Sequence, residues 1–228
     1  MRGVFCFDVV LYRRLVGGAG RVRSRKPIIG LAGGIGAGKT RVATEFELAG
    51  CLVISSDRLN HELLALPDVL DTLCDWWGPD VRGADGRPDR RRIAEIVFAN
   101  ADQKRRLEAL VYPLIARRRT AMIKAVEENP AIKAIVIDSP LLFESNLDRE
   151  CDTIVFVDAN MARRRHRLQQ ERGWDTEETQ RRERWQISLD DKRSRAEFVV
   201  NNDGPPERLG PQVVDILQTI VTRHYATD

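Results

Sequence analysis

Eight consecutive residues, Gly33-Gly-Ile-Gly-Ala-Gly-Lys-Thr40, carry the most specific chemistry in the chain. They fit G-x-x-x-x-G-K-[ST], a spacing suited to a bound phosphate chain. Glycines let successive backbone N–H groups turn inward as an anion nest, and a helix starting behind the loop adds partial positive charge. The N–H groups of Gly34, Ile35, Gly36, Ala37 and Gly38 would line the nest, and that of Arg41 would extend it. Lys39 would reach the β- and γ-phosphates, and the Thr40 hydroxyl would ligate Mg²⁺. A dinucleotide fingerprint does not fit: after Gly34 and Gly36, its third glycine would fall on Lys39.

Two acids stand at the ends of apolar runs. Asp57 follows Cys51-Leu-Val-Ile-Ser-Ser56. As a helix N-cap it would only start the next element; beside the γ-phosphate it would take a proton from an acceptor hydroxyl or hold Mg²⁺ through water. Asp138 follows Ile135-Val-Ile137, as a strand terminus or a Walker-B-type acid near the metal. Arginines crowd positions 163, 164, 165, 167, 172, 181, 182 and 184. They read as a solvated helical face, as a nucleic-acid surface without interleaved aromatics, or as a hinged lid neutralising charge over a triphosphate.

These residues need a frame. Ile28–Ala32 reads as a strand, Lys39–Ala49 as a helix with Val42, Phe46 and Ala49 on one face, and "CLVIS" as a second strand. That is one βαβ unit, hence a parallel sheet covered by helices. "AIKAIVIDSP", "DTIVFVDA" and "AEFVVNND" supply three more strands, each ending in a polar residue. The expected fold is α/β, a three-layer P-loop NTPase fold with a five-stranded parallel sheet. Ligands of such sheets bind outside the carboxyl ends of the strands. Over that edge stand a helical insertion, residues 59–129, and an arginine-rich helical hairpin, residues 160–195, bent at Gly173.

Composition bounds the rest. The chain has 228 residues, 43% hydrophobic and 31% charged, with a net charge of +3, ordinary for a soluble protein with one core. The four cysteines and three histidines are scattered, without metal-ligand or disulfide spacing. No apolar run reaches the roughly 18 residues that span a bilayer. The expected setting is cytoplasmic, without membrane or nucleic acid, as a monomer or weak oligomer. Residues 1–26 hold seven basic residues against Asp8 and read as a poorly ordered extension of the 27–228 domain, a targeting segment or an upstream start.

No N/T-K-x-D guanine-reading motif is present, and the only D-x-x-G lies in a loop at Asp80–Gly83. Small-molecule kinases remain among the P-loop classes. Over roughly 27–218 the chain resembles the dephospho-CoA kinase family, through "GLAGGIGAGKT", "FELAGCLVISSD", "PDRRRIAEIVF", "LEALVYPLI", "VIDSPLLFE", "CDTIVFVDA" and "RWQISLDDKRSRAEFVVNND" in the family's order. The resemblance implies ATP-dependent phosphorylation of the ribose 3′-hydroxyl of dephospho-CoA, with Mg²⁺. It matches Asp57 to the catalytic acid, Arg167 and Arg182 to lid arginines, and Asn201 to the adenine pocket. It places Asp89, Arg90 and Pro113 in stretches facing the acceptor. The chain departs from the family pattern at Ser55, Ser56, Tyr112, Arg41 and Pro88. Competing readings are a kinase for another nucleoside-like acceptor and a non-catalytic nucleotide- or RNA-binding module.

Overall fold

A computed structural model describes residues 24–226; residues 1–23 of the expected extension lie outside the described residues. The chain divides into two compact units, residues 56–120 and residues 24–55 together with 121–226.

The larger unit is built on five parallel strands: β1 (Ile28–Gly33), β2 (Cys51–Ser55), β3 (Ala134–Asp138), β4 (Thr153–Asp158) and β5 (Phe198–Asn201). Their spatial order is β2-β3-β1-β4-β5, so β1 is central. β1 is buried at every residue, as expected for an apolar run covered on both faces. On one face α1 (Lys39–Leu48) and α9 (Leu209–Ala226) pack together. Val42, Ala43, Phe46, Val213, Leu217 and Ile220 form a core there with Ile29, Leu31, Val136 and Val155. α1 ends at Leu48, and Gly50 (φ 96°) turns the chain into β2.

The strand ends form one polar edge. Ser55 pairs with Asp138, Asp138 with Leu31, and Asp158 with Asn201. Beyond β4 and before β5 lie α6 (Met161–Arg172), α7 (Thr176–Glu183) and α8 (Leu189–Ser194). The expected hairpin is thus a set of three helices. Each starts on a side chain: Asn160 accepts from the Arg163 N–H, Asp175 from Glu178 and Ser188 from Asp191. Such caps satisfy N–H groups that a short helix cannot pair internally. The Ser188 cap, reinforced by its hydroxyl donating to Asp191, splits the third helix from the second.

The smaller unit is helical: α2 (Ser56–Leu64), α3 (Pro67–Trp77), α4 (Arg90–Ala99) and the part of α5 (Ala101–Val126) up to residue 120. A short 3₁₀ turn at Pro79–Val81 packs on α3 and α4. Among the described residues no helix is long and apolar enough to cross a membrane.

Candidate phosphate-binding site

Gly36 and Gly38 adopt left-handed φ values of 75° and 87°, which admit glycine with little strain. Space forbids a side chain as well: a Cβ at Gly38 would lie 2.3 Å from the Asn202 amide nitrogen.

The loop's carbonyl oxygens are taken up one after another. The Lys39 ammonium donates to the Gly33 carbonyl (3.3 Å), and the Ala37 N–H to that of Gly34 (3.1 Å). Arg164 donates to the Ile35 carbonyl (3.3 Å). The Ala37 carbonyl accepts from Arg167 (3.1 Å) and from the Asn202 amide (2.7 Å). The Gly38 carbonyl accepts from the Arg41 (3.0 Å) and Val42 (3.2 Å) N–H groups, so the Arg41 N–H, expected to extend the nest, is taken up within the first turn of α1. An anion nest needs carbonyl oxygens directed at cations and donors while N–H groups serve the anion; the Ala37 N–H, expected to line the nest, is instead spent on the Gly34 carbonyl. Gly38 passes directly into α1, so the helix N-terminus adds its partial charge at the same point.

Several expected residues therefore meet here: Gly34, Ile35, Gly36, Ala37, Gly38, Lys39 and Arg167. Thr40 and Arg41 are exposed in the first turn of α1, and Asp138 is half-buried at the end of β3. Arg167 also donates to the Asn202 carbonyl (2.9 Å), so its guanidinium ties β5's end to the loop.

Other expected residues sit elsewhere. Arg182 donates to Glu178 (2.6 Å) and lies 4.1 Å over the Trp174 ring. Asn201 pairs with Gln212 and accepts from the Asp203 N–H. Its neighbour Asn202, 3% exposed, is the one against the loop. In the smaller unit Asp57 is the second residue of α2. It is thus inside the helix rather than its N-cap. Asp89 caps α4, accepting from the Arg91 and Arg92 N–H groups (3.0 Å each). Arg90 contacts the His61 ring (3.1 Å), and Pro113 lies inside α5.

Two groups present in the sequence reading, without a role of their own, are buried and paired. Arg164 is 5% exposed and pairs with Glu183 (2.6 Å). Lys192, 2% exposed, pairs with Glu144 (3.2 Å) and donates to Gln186 (2.8 Å). Burial holds the Lys192 ammonium below the ordinary lysine value, with Glu144 opposing that shift.

The sequence model of the family described as dephospho-CoA kinase matches residues 27–207. The Thermobifida fusca dephospho-CoA kinase is 32% identical over 200 residues, covering 87% of this chain and 98% of that protein. That of Corynebacterium glutamicum is 33% identical over 196 residues, covering 86% and 98%. The crystal structure of a Thermus thermophilus protein, 29% identical, superposes with a TM-score of 0.71 over 85% of this chain and 97% of that one. The Campylobacter jejuni dephospho-CoA kinase, 20% identical, shares the fold with a TM-score of 0.61 over 86% and 98%. With the phosphate loop built and the match running through strands and lid alike, the chain belongs to the dephospho-CoA kinase family.

Proposed function

We propose that the chain transfers the γ-phosphoryl group of ATP to the ribose 3′-hydroxyl of dephospho-CoA, giving coenzyme A. The observation that carries this reading is the joint occurrence of a built P-loop and the family match over 27–207. Its partners are then small molecules, with no call for nucleic acid or a membrane.

In this reading the loop amides and Lys39 hold the donor phosphates, and Asp57 accepts the proton of the attacking hydroxyl. Arg167 keeps the loop in shape, and Arg182 swings from Glu178 onto the transferring phosphoryl. Asp89, Arg90, Pro113 and Asn201 belong to the surfaces that orient acceptor and adenine. Among the described residues no three His, Cys, Asp or Glu side chains group as a metal cage. Thr40 and Asp138 offer oxygen donors instead, which suits Mg²⁺, an ion that takes few protein ligands and arrives with a triphosphate. Bound there it would supply charge neutralisation at the phosphates.

The test is coenzyme A formation from ATP, Mg²⁺ and dephospho-CoA, with adenosine as competing acceptor. Turnover on dephospho-CoA well above adenosine is expected; none above background would overturn the reading. Asp57→Asn should keep ATP binding and lose about 10²–10⁴-fold in kcat, the usual worth of a general base.

A further inference from the structure

Two ion pairs tie the three lid helices, and the second of them reaches the phosphate loop. Their members alternate in sign: Glu144 from the segment after β3, Lys192 from α8, Glu183 from the end of α7 and Arg164 from α6. Glu144 Oε1 accepts from the Ile187 N–H (2.9 Å) and from Lys192 (3.2 Å). Lys192 lies in the electrostatic field of Glu183 as well. Glu183 accepts from Arg164 Nη1 at 2.6 Å, and the same nitrogen reaches the Ile35 carbonyl at 3.3 Å. Of these four charges Arg164 is the one that reaches the backbone of the loop, with Glu183 behind it.

These pairs are a poor device for stability alone. Arg164 is 5% exposed, yet its Nε has no hydrogen-bond partner among the described residues. Glu144 is 7% exposed, and its Oε2 is likewise unpartnered. Buried charges with incomplete satisfaction gain little over apolar packing; their better-attested use is to fix one arrangement among several. Contact geometry says which arrangement is fixed. A Cβ at Gly34 would lie 2.7 Å from Arg164 Nη1, and one at Gly36 2.8 Å from the Arg164 carbonyl. Helix α6 therefore rests on loop backbone, and a shift of α6 moves the Ile35 peptide.

We propose that Arg164, held by Glu183, is a positioning residue for ATP: it fixes the Ile35 peptide in the nest-forming orientation and makes loop geometry depend on lid position. Arg164 acts through the loop, without touching the substrate. The pair then reports lid closure to the nest, and nest occupancy to the lid. This inference rests on the reading of the loop as a triphosphate site, and its test needs no acceptor.

The experiment is calorimetric titration of Mg²⁺ and ATP into the full chain and into Arg164→Gln, Arg164→Lys, Glu183→Gln and the Arg164→Gln/Glu183→Gln double variant, with the summed emission of Trp76, Trp77, Trp174 and Trp185 followed in parallel. Folding is checked by the thermal transition without nucleotide. Arg164→Gln should weaken ATP about tenfold or more, and Glu183→Gln about threefold. The double variant should be no worse than Arg164→Gln, because the two act as one unit. Arg164→Lys should recover part of the affinity. The ATP-induced change in tryptophan emission should shrink in Glu183→Gln. Once activity is established, the variants should raise KM for ATP more than they lower kcat. Affinities within twofold of wild type in both single variants would overturn the inference, as would strictly additive losses. A wild-type chain that binds no ATP would overturn both this inference and the kinase reading.

Discussion

The base and the tip of the arginine-rich segment, residues 160–195, are built from similar residues and are held in opposite ways. At the base, Arg164 and Arg167 donate to loop carbonyls, and Lys192 is buried against Glu144. At the tip, Arg182 is tied only within its own neighbourhood, to Glu178 and Trp174, and Arg181 pairs with Glu178 in solvent. An arginine's position along one charge-rich segment thus decides between bonds to the loop backbone and bonds within its own helical neighbourhood. The base bonds cross from one element to another and are desolvated. The tip bonds are i,i+3 and i,i+4 pairs on one helix; the exposed Arg181 pair is worth about 1 kcal/mol or less, and the Arg182 pair is half-buried. In the proposed closure the tip contacts are the ones that break, while the base bonds carry the movement of α6 to the loop.

The largest expected effect is at the tip. If Arg182 leaves Glu178 to meet the transferring phosphoryl, Arg182→Ala should lower kcat about 10³-fold, roughly 4 kcal/mol of transition-state stabilisation. ATP affinity should stay within about twofold, because the ground-state contacts of Arg182 are local. Single-turnover rates and ATP titration separate the two. A kcat within threefold of wild type would reduce Arg182 to a structural partner of Glu178 and leave the comparison without a functional tip.

At the base, Glu144→Gln should cost folding stability instead, about 3 kcal/mol in denaturant unfolding at neutral pH. The amide keeps the Ile187 bond but leaves the Lys192 charge buried without its counter-ion. The pH dependence has a definite sign. Burial already depresses the Lys192 pKa and Glu144 opposes it, so losing the carboxylate depresses it further. The unfolded variant then binds more protons than the folded one between that depressed value and the ordinary lysine value. Its deficit is full below the depressed folded pKa and shrinks as pH rises toward the unfolded one. A deficit that is the same at pH 7 and pH 10 would show that packing, not the Lys192 charge, carries the cost.

The phosphate loop and the five strands were legible because local chemistry dictates them: glycine spacing sets the loop, and short apolar runs set the strands, three of them ending in Asp or Asn. The base-to-tip division was not. Arg163, Arg164 and Arg165 are one run in sequence, and only the helical period selects Arg164, which shares a face with Arg167 and Leu168. Leu168, 2% exposed, was the available signal; the arginine run was read as one group, whether solvated face, nucleic-acid surface or lid, without separating its members. Asn202 was missed for a related reason. Strand alternation from buried Val200 points Asn202, not Asn201, inward. The Lys192–Glu144 pair had no local signal, since its partners lie 48 positions apart.

The smallest expected effect sharpens the comparison most finely. Arg181 shares Glu178 with Arg182, but its side chain is 67% exposed and its bond is an i,i+3 surface pair. Such pairs contribute only a few tenths of a kcal/mol, so Arg181→Ala should leave the thermal transition within about a degree and ATP affinity unchanged. It also frees Glu178 to hold Arg182 alone, so kcat should fall by no more than about twofold. A thousandfold loss in kcat, matching that of Arg182→Ala, would mean that the tip meets the phosphates as a collective cationic surface. In that case the distinction drawn between single arginines would hold for the base alone.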